Sequence, residues 1–278
     1  MILVTSLIGV FGMIALPIGL GFWLTRAFRL PWRLFWLGAL AFLASQVVHI
    51  PVLYGLTAAF QGGVLPSPPL VWQAAFDTVV LGLLAGLFEE TARWGLFRFF
   101  LRDRRTWNEG VLVGAGHGGI EAFLLGVIGL VTVGTMVVLR TADLTMLGVP
   151  AEQVDAMRLQ VMTFWEAPAY MGLLGLVERV FAITLHIALS VMVLYGIVSG
   201  RPIWFWLAVL WHAVVDGMAV YLLPRIGALA VEGVVGGMAL ISLGILFGLR
   251  QAFVRQDPDR GGQEPLSVEE DRPFEREV

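Results

Sequence analysis

A chain of 278 residues that is 58% hydrophobic and only 14% charged cannot hide its apolar surface in a soluble core, so lipid must be the solvent for most of it. The net charge of -3 carries no information about nucleic acid, and the absence of a basic patch argues against it as a partner. The absence of cysteine excludes a disulfide framework and a thiolate nucleophile.

Apolar runs of about 20 residues, the length needed to cross a hydrocarbon core, fall near 2–24, 33–57, 70–101, 109–139, 172–198, 203–223 and 226–249. The first begins Met1-Ile2-Leu3, with no basic n-region and no small-x-small cleavage site, and therefore reads as a retained helix. In the second, His49 stands alone and reads as a residue hydrogen-bonding between helices. Pro66-Ser67-Pro68-Pro69 breaks the chain before the third run, where Asp77 lies toward the outer end and reads as solvated, with Glu89-Glu90-x-x-Arg93 deeper in. The fourth run carries His117 and Glu121 within a glycine-rich stretch, 114–119, whose small residues suit close helix packing.

Between the fourth and fifth runs, Asp143, Glu152, Asp155, Arg158 and Glu166 interleave with Met157, Val161, Met162, Phe164 and Trp165. That pattern over 140–170 predicts an amphipathic helix on the outer surface, punctuated by Pro150 and Pro168. The fifth run holds Glu178-Arg179 and His186. Arg201-Pro202 turns the chain into the sixth, which holds His212-x-x-x-Asp216. In the seventh, Glu232 sits toward the outer end and reads as solvated. The sequence thus predicts an all-α bundle of seven membrane helices over 1–250, with a tail over 251–278 too polar to fold. Arginines crowd alternate connections, which places the N-terminus outside and the C-terminus in the cytoplasm of a multi-pass cell-membrane protein.

A charge inside a membrane helix costs about 2.5 to 3.5 kcal/mol on insertion scales, so each one here calls for a reason. His117 to Glu121 and His212 to Asp216 are both i to i+4, and Glu178 to His186 spans about two turns, so three of the four histidines have an acid on their own face. Counted at 1.5 Å per residue, Glu90, Glu121, His186 and His212 lie roughly 14 to 18 Å from the cytoplasmic ends of their helices, and His117 roughly 12 Å. Four helices therefore present His and Glu to nearly one level, which predicts a water-accessible polar cavity toward the cytoplasmic half. Imidazole and carboxylate are the ligands of hydrolytic zinc, which takes three protein groups and leaves a fourth position for water. Asp216 or Glu121 can orient a ligand histidine through its second ring nitrogen. Arg93 can steady the acidic pair or a developing oxyanion.

Glu-Glu-x-x-Arg, Gly-His-Gly-Gly-x-Glu, a histidine after Glu-Arg, and His-x-x-x-Asp, in that order on successive helices, resemble the YhfC family. That family is grouped with the PrsW proteases and the type II CAAX prenyl proteases and is described as intramembrane metalloproteases. The resemblance spans roughly residues 75 to 220 and implies a catalytic role for Glu89, Glu90, His117, Glu121, His186, His212 and Asp216. Ligand type alone points to zinc, with His186 and His212 as ligands, His117 or Glu121 as the third and Glu89 or Glu90 as general base, and the expected substrate is a membrane protein or peptide. Type II CAAX proteases place a histidine where Glu121 falls and a phenylalanine where His117 stands, so these two residues are rival occupants of one role. A transporter or proton relay built on the same buried charges, and a catalytically silent scaffold of the same fold, are the alternatives. The chain has no inverted repeat to favour the transporter.

Overall fold

In lipid the backbone must satisfy its own hydrogen bonds, which leaves helices as the form for each of these apolar runs. The computed structural model, which describes residues 1–144, 146–148 and 150–256, has eight helices and no strand among them. Seven are long and apolar enough to cross a membrane: α1 Ile2–Phe28, α2 Trp32–Gln61, α3 Leu70–Phe100, α4 Trp107–Leu139, α6 Met171–Val198, α7 Ile203–Ile226 and α8 from Ala228. The chain is a multi-pass membrane protein. Between α4 and α6 lies the shorter α5, Ala151–Glu166, starting directly after Pro150. α5 exposes Leu159 and Met162, and the Trp165 indole donates to the Met136 carbonyl at 3.2 Å, which ties α5 to the end of α4.

Two helix ends show features that the apolar runs do not give. α8 continues through Gln256, past the point where the polar tail was expected to begin. Arg250 and Arg255 ride on its last turns, where cations suit the negative end of the helix dipole. The rest of the expected tail, 257–278, lies outside the described residues. α3 closes in a π-turn, Leu96–Phe100.

Without a hydrophobic force between helices, membrane bundles pack where small residues let backbones meet. α4 is the central example. A β-carbon at Gly116 would fall 1.9 Å from the Phe35 carbonyl oxygen of α2, and one at Gly38 of α2 would fall 2.0 Å from the Val113 carbonyl oxygen. Gly114 and Gly118 face α6 instead, where added β-carbons would lie 2.6 Å from Ile187 Cα and 2.9 Å from His186 Cβ. On α3, Gly82 and Gly86 press in the same way on the carbonyls of Ala213 and Val209 in α7. These contacts seat the histidines of α4, α6 and α7 beside the acids of α3.

The start of α4 is fixed by a capping box. Thr106 Oγ1 accepts from the Glu109 amide at 3.4 Å, and Glu109 Oε2 accepts from the Thr106 amide at 2.9 Å. Arg104 adds a 3.1 Å ion pair to Glu109. That cap sets where along α4, and on which face, His117 and Glu121 emerge.

Candidate active site

Five helices deliver polar side chains to one buried cluster. α3 supplies Glu89, Glu90 and Arg93, α4 supplies His117 and Glu121, α6 supplies Arg179 and His186, α7 supplies His212 and Asp216, and α2 adds Gln46. The three imidazoles pack in a row: His117 to His186 at 5.2 Å between ring centroids, His186 to His212 at 5.4 Å. Glu90 and Arg93 are fully buried, as is His117, and His212 is nearly so.

Glu89 is the hub. Its Oε1 accepts from Gln46 Nε2 at 3.2 Å, and its Oε2 lies 3.0 Å from His117 Nε2, 3.8 Å from Arg93 Nη2 and 3.9 Å from His212 Nε2. Its neighbour Glu90 points elsewhere, pairing with Arg93 Nη1 and with His212 Nδ1, the latter at 2.8 Å. Arg93 also reaches His186, its Nη2 donating to Nδ1 at 2.5 Å. The opposite nitrogen of His186, Nε2, lies 2.7 Å from Glu121 Oε2. Arg179 holds the other oxygen of Glu121 at 2.7 Å and Glu178 at 2.6 Å. Asp216 Oδ2 stands 3.2 Å from His212 Nε2, one turn along α7.

The set read from sequence therefore comes together, with a rearranged pairing. Glu121 does not partner His117 one turn before it on α4; it meets His186 of α6. Glu178 goes to Arg179 instead of His186. The group whose donor atoms all lie within 4.8 Å of one another is Glu89, His186 and His212. His117 lies outside that trio, bonded to the Glu89 carboxylate and with its ring beside that of His186.

Glu89, Glu121, His186, His212 and Asp216 line a cavity of about 70 Å³, large enough for a few waters. Its remaining wall is the first half of α6 (Glu178 to Leu185), the second half of α7 (Val215, Ala219) and the first half of α8 (Val235 to Ser242). The cavity thus reaches from mid-membrane toward the face that carries α5, whereas counting residues from the arginine-rich ends had pointed to the other half. Depth fixes the level of the site and leaves the direction of its opening undetermined. Glu90 does not line the cavity.

Two residues depart from their sequence readings. His49 is buried against Phe88, with ring centroids 5.5 Å apart, and neither ring nitrogen has a hydrogen-bond partner among the described residues. The helix-to-helix hydrogen bond expected of it is absent. Glu232, expected to be solvated, has one carboxylate oxygen buried without a partner. Gln46 was not singled out from sequence, because an uncharged amide in an apolar run raises no alarm. The available signal was its position one turn before His49, which gives α2 a second polar group on that side.

The family model described as YhfC intramembrane metalloprotease matches residues 12–239, which contain every member of the cluster. The uncharacterized membrane protein YhfC of Bacillus subtilis (strain 168) is 31% identical over 248 residues, covering 86% of this chain and 92% of that protein. No solved structure matches the chain.

Proposed function

The chain belongs to the YhfC family, and from that membership together with the buried cluster we propose that it is an intramembrane metallopeptidase acting on peptide bonds of membrane-associated substrates. The observation that carries this reading is a carboxylate and two imidazoles with donor atoms within 4.8 Å of one another, lining a small cavity inside the membrane-spanning bundle.

The donor set fits a zinc ion in type and in number: one carboxylate oxygen and two imidazole nitrogens, all buried, with room beside them. Glu89, His186 and His212 would hold it. When bound, zinc supplies Lewis acidity and a water that ionises near neutral pH. The chain's own groups do the rest. Gln46 and His117 fix both oxygens of Glu89. Asp216, which lines the cavity with 42% of its side chain exposed, is placed to take a proton from water and return it to the leaving amine. Glu90 and Arg93 form a buried pair that holds His212 and His186 in place.

A second reading is favoured by one contact. Arg93 donates to His186 Nδ1 and so engages the lone pair a metal would take, which favours hydrolysis by Glu89 and histidine alone. In that case Glu89, held by His117, takes the proton from water, and His212 of the cavity wall polarises it. The orientation that accompanies either reading puts the N-terminus outside and the C-terminus inside, which follows the arginine distribution. The substrate is then a membrane protein or peptide entering from the cavity side, with no role for nucleic acid.

Elemental analysis of the detergent-purified chain, beside the His186→Ala plus His212→Ala variant, tests the metal. About one zinc per chain, lost in the double variant, supports the metallopeptidase. No zinc in a folded wild type even after addition, with cleavage of a membrane peptide still abolished by Glu89→Gln, supports the glutamate and histidine form. Flux across sealed vesicles without cleavage would replace both readings with transport.

A further inference from the structure

Arg179 is 6% exposed inside a span where a lone guanidinium would be costly, and its contacts give it a task. Nη1 donates to Glu121 Oε1 at 2.7 Å, and Nη2 donates to Glu178 Oε1 at 2.6 Å. Glu121 is held by that pair as an acceptor and turns its other oxygen to His186 Nε2 at 2.7 Å. A carboxylate that already accepts from a guanidinium offers only lone pairs, so His186 must supply the proton of this bond, from Nε2. A neutral imidazole protonated at Nε2 has its lone pair at Nδ1. Nδ1 is the atom that accepts from Arg93 Nη2 at 2.5 Å, so the two contacts assign the same tautomer independently.

We propose that Arg179 is a positioning residue: it anchors Glu121, Glu121 holds the Nε2 proton of His186, and His186 therefore keeps its lone pair on Nδ1, on the Arg93 side of the cluster. This assigns Glu121 an orienting role and removes it from the candidate ligands. It is the arrangement in which a second carboxylate fixes the tautomer and direction of a ligating histidine, here extended by a guanidinium behind the carboxylate. Gly118 completes the seat, since it brings the α4 backbone against the His186 side chain, where a β-carbon would lie 2.9 Å from Cβ. The use made of His186 rests on the peptidase reading, whereas the tautomer does not.

The chain has four histidines, so an imidazole nitrogen spectrum of the full-length, ¹⁵N-histidine-labelled protein in detergent resolves each ring, with His186 assigned by its loss in His186→Gln. Wild type is expected to show His186 protonated at Nε2 alone. Arg93 keeps Nδ1 an acceptor in every variant, so the readout is the Nε2–H proton and nitrogen shift, which reports the bond to Glu121. Arg179→Gln is expected to move that shift toward the value of a weaker hydrogen bond, and Arg179→Lys, which keeps a cation for Glu121, to restore it in part. Glu121→Leu removes the acceptor while leaving Arg179 paired with Glu178. It must move the Nε2–H signal at least as far, and it carries the test if Arg179→Gln does not fold. A wild-type His186 protonated at Nδ1 overturns the proposal, as does a folded Arg179→Gln or Glu121→Leu with an unchanged Nε2–H signal. A merely structural arginine would lower the melting temperature and leave the spectrum alone. With zinc alone as the probe, Arg179→Gln should bind about 10- to 100-fold more weakly. If wild type takes up no zinc, the metallopeptidase reading fails while the tautomer result still stands.

Discussion

The seam where α4 meets α2 and the sector where α6, α7 and α8 surround the cavity are built on opposite terms. At the seam, Gly38 and Gly116 bring carbonyl oxygens to about 2 Å from where a β-carbon would sit, and the buried neighbours are apolar: Phe35, Val113 and Ala115. In the cavity sector, the side chains of Glu121, Glu178 and Asp216 are 24 to 42% exposed. Small apolar residues such as Ala219 leave space beside them. One region leaves no room for a β-carbon and the other keeps space for a few waters beside its carboxylates. Glu89 belongs to both, since it is held from the seam side by Gln46 and His117 and turned toward the cavity with His186 and His212.

That contrast can be broken most severely at the seam. Gly116→Leu drives a side chain into the α2 backbone, and the expected result is loss of folded protein, or at least about 3 kcal/mol of destabilisation, seen as a lowered melting temperature in detergent. Glu89→Gln keeps the shape and removes the charge at the hub. It should reduce peptide cleavage by about 10² to 10⁴ with the melting temperature little changed. An unaffected turnover would show that the seam and the cavity do not meet at Glu89. Gln46→Leu removes one neutral donor to that carboxylate, so a loss of about 1 kcal/mol, or roughly five- to tenfold in turnover, is expected. The smallest effect belongs to the rim of the cavity. Glu178→Ala, whose partner Arg179 retains Glu121, should change stability by at most about 1 kcal/mol, measured by the same thermal melts.

The fold was legible because apolar length is a direct physical requirement of the bilayer, and each expected run matches a helix to within four residues except where α8 continues beyond Arg250. The chemistry was legible wherever a charge sits deep in such a run: Glu89, Glu90, Arg93, His186 and His212 announce themselves by their cost. Their partners were less legible. His117 and Glu121 share a face of α4, yet that face is broad enough for one to look at α3 and the other at α6. Helical periodicity gives the direction from which a side chain leaves its own axis. Which neighbouring helix stands there is set by packing, here by glycines whose contacts lie far apart in sequence. Gln46 escaped notice for the converse reason, an amide being cheap enough to bury that its position carries little information by itself.

The capping box at Thr106 and Glu109 has a consequence for how this segment tolerates change in length. Because the cap fixes where α4 begins, the stretch from Thr106 to His117 acts as a ruler. Inserting or deleting one residue within it would turn everything downstream by about 100°, swinging His117 from Glu89 and Glu121 from His186 together. Substitutions along the ruler can drift, while gaps cannot, so variation between the cap and the histidine should be confined to changes of residue without changes of length.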